Sequence, residues 1–266
     1  MESVGEAGED DVWAPVGVDE AAFDAGRLGP YRLGPSARRT QFGEVILALG
    51  EPTDGVLEID LLDALLGTPL AAPDSGLMTD ISAIAALRHR CLIPMVGAGV
   101  QDGVPYVVRP HRLGRTLESL LEAGPLAVEV AAVVLYAVSE TLSFLAEAGP
   151  MPDACAMGGL GARDVFLGYD GAIALVSLGL KRARNHDSDA ASADVAACFA
   201  LARQLETGMP AVIAGAHGFS EISRALRRRF GEACAHSALH VGVAMRRAFP
   251  SEIAADRAFF GLPPLQ

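Results

Sequence analysis

His236 and His240 stand four residues apart in a helical pattern with Cys234 just before them, a spacing at which imidazole and thiolate groups can share a metal ion. The sequence supplies no convincing fourth ligand and no H-E-x-x-H pattern, so these are read as surface or packing residues and no metal is expected. Asp164 is a lone acid beside a short hairpin, where a carboxylate is a turn or capping residue before it is a catalyst. Arg224, Arg227, Arg228 and Arg229 line one face of a helix whose other face carries Ile222, Leu226 and Phe230. That stripe is read as a solvated face; its functional alternative is docking to an acidic partner or to the chain's own acidic arm.

The elements that must position such groups follow from periodicity and turn chemistry. Residues 1–28 are acidic, rich in Gly and Ala and without a sustained apolar period, and read as a flexible arm that Trp13 and Phe23 can dock. Strand patterns follow at Glu44–Leu49 and Val56–Leu62, then a helix over Asp80–His89, then strands at Ile93–Val100 and Val104–Arg109 turned by Gln101-Asp102-Gly103. From Gly114 the chain is mainly helical. The reading is Leu117–Ala123 ended by Gly124, a long helix from Pro125 to Ala148, a hairpin of Val165–Gly168 with Ala172–Leu178, and helices over Asp194–Glu206 and around Ile222–Phe230.

Composition bounds the partners. The 266 residues are 51% apolar, enough for one large domain or two packed lobes. A net charge of −12 and a pI near 4.9 argue against a nucleic-acid partner, which needs clustered Lys and Arg. The four cysteines lie far apart with no C-x-x-C pair, which fits a reducing cytoplasm. The N-terminal residues lack the basic start and apolar run of a secretory signal. The apolar stretch Leu126–Leu145 is interrupted by Glu129 and Glu140 and reads as a buried helix, so no membrane partner is expected.

A β-rich lobe with one helix, followed by a helical lobe holding a hairpin, resembles the protein-kinase fold, and specific words strengthen the likeness. Gln41-Phe42-Gly43-Glu44-Val45 resembles the end of the glycine-rich loop, and Leu87-Arg88-His89-Arg90-Cys91-Leu92-Ile93-Pro94 resembles the L-R-H-P-N-I-V-P passage of bacterial eukaryotic-like Ser/Thr kinases. Val104–Val108 resembles the strand leading to the hinge, Asp170-Gly171 with Gly179-Leu180 the hairpin before D-F-G, and Asp194-Val195 the start of a later helical signature. The likeness runs from about residue 31 to 208. It implies an α+β two-lobe fold: a small β-rich N-lobe over 29–113 and a shortened, mainly helical C-lobe over 114–266.

The same likeness implies that the phosphate-transfer machinery is lost. Kinase catalysis needs loop amides on the phosphates, a Lys–Glu ion pair, and carboxylates for the hydroxyl proton and Mg²⁺. Here the loop glycines fall on Arg38 and Thr40, leaving Gly43. The lysine falls on Asp60 and its glutamate partner on Asp80. The catalytic base falls near Gly159, with Asp153 as a substitute candidate, the metal-binding Asn on Asp164 and the D-F-G aspartate on Ser177. About 15 residues between Gly179 and Asp194 leave no room for an activation loop. Glu58 and Asp60, two apart on a strand, face the old nucleotide site, and Arg109 at the end of the hinge strand is expected to contact one of them and occlude the adenine pocket.

The resulting expectation is a pseudokinase: a cytoplasmic, signalling protein-interaction scaffold with an unknown protein partner, no cofactor and no metal. The rival is a divergent protein kinase or nucleotide-binding phosphotransferase acting through Asp153, Asp164 or another carboxylate.

Overall fold

The computed structural model describes residues 20–40, 42–50, 53–148, 160–176, 190–205 and 208–263. Alternating apolar residues drive strands β1 (Gly26–Leu28), β2 (Tyr31–Arg39), β3 (Glu44–Gly50), β4 (Thr53–Leu61), β5 (Gly97–Gln101) and β6 (Val104–Pro110). They form one antiparallel sheet in the order β1-β2-β3-β4-β6-β5. Tyr31, Ala48, Leu57, Ile59 and Val108 make a cluster on one face. Because side chains alternate and Leu47 pairs with Glu58 and Val45 with Asp60, the acids share the opposite face with these apolar residues. Arg109 lies opposite Glu58, and Val107 opposite Asp60.

Several boundaries differ from the sequence reading. Residues 20–28, assigned above to the arm, begin the lobe: β1 pairs with β2, and Phe23 is buried. Helix α1 runs Gly76–Ala85 rather than Asp80–His89, because Ser75 caps its start by accepting from the Met78 amide at 3.4 Å. Its end is set where Arg88 folds back onto the carbonyls of Ala85 and Leu87 at 2.7 and 2.9 Å. The strand read from Ile93 begins at Gly97, since Pro94 has no N–H to give and the preceding Cys91 carbonyl bonds instead to the Leu175 amide at 2.9 Å. Leu77 and Ile81 of α1 pack with Phe42, Leu62, Leu65 and Val107 beneath the sheet.

The second lobe opens with β7 (Gly114–Thr116), a strand absent from the sequence reading, which pairs with β8 (Val165–Gly168); β8 in turn pairs with β9 (Ile173–Leu175). Helix α2 spans Leu117–Ala123 and is capped by Thr116, which accepts from the Ser119 amide at 3.3 Å. Helix α3 spans Val128–Ala148, starting later than Pro125. Most of this apolar helix is buried within the protein. Around it pack α4 (Ala190–Gln204), α5 (Met209–Val212), α6 (Phe219–Ala235) and α7 (Ser237–Ala248), and α8 (Pro250–Phe259) packs on α7. One core joins Leu135, Val138 and Leu142 of α3 to Leu167, Leu201, Leu226, Val241, Met245 and Ile253. At the surface of α7, Leu239 and Val243 are 62% and 50% exposed, one turn apart.

Candidate functional site

Between the lobes lies a cleft of about 840 Å³ whose upper wall carries Arg38, Glu58, Asp60, Arg109 and His111. These five side chains form one charge network. Arg38 meets Glu58 with both forks, Nη1 to Oε1 at 2.9 Å and Nη2 to Oε2 at 2.7 Å. His111 donates from Nδ1 to the same Oε1 at 2.9 Å. Arg109 donates from Nη2 to Asp60 Oδ2 at 3.0 Å, and both are buried, at 5% and 3% exposure.

The two acids differ in their electrostatics. Burial pushes both carboxyls up. At Glu58 the Arg38 charge, with the bonds from His111 and Arg38, outweighs burial and holds the group well below the usual carboxylate range. At Asp60 burial wins over Arg109 and Arg38, with Glu58 adding repulsion, and the carboxyl lies above its ordinary value. Glu58 thus contributes stability that is present above its unfolded pKa and lost as pH falls through the depressed folded value. Arg38 is itself raised: burial lowers it, but Glu58 more than compensates.

Arg109 therefore reaches Asp60, as expected of a contact with one of the two acids. The full occlusion expected of it is not what the cleft shows. Arg109 pairs along the upper wall, and the space below remains. The loop between β2 and β3 is closed on itself: the Thr40 amide donates to the Gly43 carbonyl at 2.7 Å and the Phe42 amide to Thr40 Oγ1 at 3.2 Å. Gly43 is required by the backbone, with φ +155° and a Cβ position that would collide with the Leu61 carbonyl.

Asp80 is buried on α1, and the charges that act on Asp60 come from Arg109, Arg38 and Glu58, with Asp80 not among them. Asp164 lines the cleft but is committed to a cap, its Oδ2 accepting from the Gly161 amide at 2.8 Å. Substituting Asp164 with Ala is expected to remove about 1–2 kcal/mol in urea unfolding, the value of a lost cap; no change in stability would contradict the capping role. Asp153, Gly159 and Ser177 lie outside the described residues.

Cys234 is buried, His236 sits exposed in the joint between α6 and α7, and His240 borders a second groove beside α2 and α3. Among the described residues no three His, Cys, Asp or Glu side chains gather as metal ligands. The arginine stripe is exposed on α6, with Arg227 stacked 5.8 Å from the Tyr136 ring and Arg229 5.7 Å from Phe230.

Three participants escape the sequence reading. Arg38 enters it only as a replaced glycine, His111 is not singled out, and Phe260, far along the chain, lines the cleft. The β2 register shifts twice, between Leu33 and Ser36 and between Ser36 and Arg38, so simple alternation does not reveal which face Arg38 takes.

No protein-family model and no curated protein matches the chain. Solved structures of the Mycobacterium tuberculosis PknI kinase domain do match. That domain aligns at TM-score 0.56 and 16% identity, covering 77% of this chain and 98% of that one. A single-substitution mutant of it aligns at 0.57 and 14%, covering 78% and 97%. A double mutant aligns at 0.53 and 16%, covering 80% and 97%.

Proposed function

We propose that this chain, whose fold is that of the bacterial eukaryotic-like Ser/Thr protein kinases, is a catalytically inactive pseudokinase module that acts in signalling as a protein-interaction scaffold. One observation carries the reading. The β4 face where the likeness requires a phosphate-binding lysine presents Glu58 and Asp60, and the nearby cations Arg38 and Arg109, with the His111 imidazole, are engaged with those acids. A triphosphate entering there would meet two carboxylates and would have to break a buried network to recruit a cation. The inward-turned amides of Thr40 and Phe42 support the same reading, because a phosphate cradle needs them free.

The contact role draws support from the exposed apolar pair Leu239 and Val243. The partner is a protein rather than nucleic acid or membrane, in keeping with the acidic charge, and cytoplasmic residence fits the described cysteines, Cys91, Cys198 and Cys234, which are free and buried. One feature favours a second reading as a divergent phosphotransferase: the cleft keeps about 840 Å³ with Asp164 in its lining.

The deciding measurement is thermal melting of the purified chain with ATP, with and without Mg²⁺. A ligand at 100 times its Kd adds about 2.7 kcal/mol to stability, which such a melt resolves readily. The expected result is no Mg·ATP-dependent shift and no phosphate transfer to itself or to generic substrates. A clear shift, with transfer abolished by Asp164→Ala, would establish the second reading instead.

A further inference from the structure

The chain after α7 runs back to the N-lobe. Two anchors hold it. Asp256 on α8 accepts from the Tyr169 hydroxyl at 2.8 Å and pairs with Arg115 at 2.8 Å, tying the helix to β7 and the end of β8. Beyond it the chain reverses: the Phe260 amide donates to the Asp256 carbonyl at 3.1 Å, Gly261 takes φ +62°, and the Leu262 amide returns to the Arg257 carbonyl at 2.8 Å. Arg257 Nε then donates to the Pro263 carbonyl at 2.6 Å.

This reversal places the Phe260 ring, 4% exposed, in a cluster with Phe23, Leu47 and Val56. The ring packs against His111, centroids 4.8 Å apart and planes tilted by 30°, and meets Phe259 edge-on at 4.9 Å. Leu47 and Val56 lie on the cleft face of β3 and β4, and His111 begins the link between the lobes. Phe260 therefore fills an apolar slot at the hinge side of the cleft, tilted against the imidazole.

We propose that residues 250–262 form an intramolecular strap whose Phe260 occupies a binding slot for planar aromatic groups and holds the two lobes together. A bound ligand ordinarily bridges two such lobes; here a side chain of the same molecule does so from one side and the Asp256 anchor from the other. The chemistry the slot accepts is an uncharged aromatic ring: apolar strands above, an imidazole face beside it, and Arg38 and Arg109 already paired with carboxylates. The inference deepens the reading of a cleft that takes no nucleotide and rests on it for that point alone.

The test compares full-length Phe260→Ala with Phe259→Ala, the latter altering a neighbouring ring that is exposed. Amide hydrogen exchange in β3 and β4 is expected to quicken by about tenfold or more in Phe260→Ala, and by less than about threefold in Phe259→Ala, with α3 unchanged in both. Indole, titrated by NMR, is expected to bind saturably to Phe260→Ala and not to the unaltered chain. Equal exchange in the two variants, or no indole binding to Phe260→Ala, overturns the proposal. Should Phe260→Ala not fold, Asp256→Asn loosens the same strap from its other anchor. Faster exchange in β3 and β4 then supports the strap, and unaltered exchange overturns it. These readings do not involve nucleotide, so a Mg·ATP-dependent melt in the unaltered chain would sink the inactive reading while the exchange data decide the strap.

Discussion

Replacing Arg109 with Met is expected to destabilise the protein by about 3–5 kcal/mol, the usual loss when one partner of a buried ion pair is removed. Met keeps much of the apolar stem but leaves Asp60 under β4 with no cation of its own. The size of the loss will depend on pH in a definite sense. Asp60 already lies above its ordinary pKa in the folded state, and losing Arg109 raises it further. Folding then favours proton uptake, so stability falls as pH rises from the unfolded value through the folded one. The deficit should therefore be smallest in acid and largest once pH has passed the raised folded value. The double substitution Asp60→Leu with Arg109→Met is expected to recover to within about 1 kcal/mol of the starting chain, or beyond it, since buried pairs are often replaceable by apolar ones. Asp60 Oδ1 and Arg109 Nε have no hydrogen-bond partner among the described residues, which makes this pair a favourable case. Urea unfolding across pH measures all of this. A single-variant loss below about 1 kcal/mol would mean that the pair has little energetic weight.

Gly171→Ala is expected to cost about 2–4 kcal/mol, combining a left-handed backbone with forced overpacking. Gly171 turns the β8–β9 hairpin at φ +93°, and a Cβ there would run into the carbonyl of Ala238 at the start of α7. Backbone on both sides leaves nothing flexible to give way. The helix must shift, and with it the packing of Val241 and Met245 in the main core. Chemical unfolding provides the number, and a wild-type midpoint would show that α7 adjusts freely. Gly208→Ala is a useful comparison, since its φ of +74° is similar but no atom lies near its Cβ position. That variant should lose only the conformational part, about 1 kcal/mol.

Much of the scaffold is legible in the sequence because its signals are local. Asp102-Gly103, with φ of 53° and 79°, form the two-residue turn that joins β5 to β6, and Asp170-Gly171 the turn of the second hairpin. The amphipathic face of α6 and the stop at Gly124 are equally plain. Element ends are less so, since Ser75 starts α1 through a cap and Arg88 finishes it through its side chain, both decided atom by atom. Strand β7 is only three residues long, and its pairing with β8 spans the whole of α2 and α3. Within the cleft, Glu58, Asp60 and Arg109 announce themselves as charges on paired strands. Arg38 is hidden by two register shifts, and His111 stands just past the end of β6, where alternation carries no information. Phe260 has no local mark at all; its place depends on where the helices of the second lobe deliver the chain.

The meeting of Phe23 with Phe260 joins residues far apart in the sequence. On the ribosome, the sheet that holds Leu47 and Val56 is made early, and although α1 covers one part of its underside, the part around these two residues stays uncovered until α8 has emerged. Closing that contact is a very long-range step, with the loop-closure entropy that such a separation implies. A nascent chain should thus carry a half-finished N-lobe, open to chaperones or to early partners, through the synthesis of the whole helical lobe. Emergence of residues 250–262 from the tunnel would then act as the event that completes the first lobe.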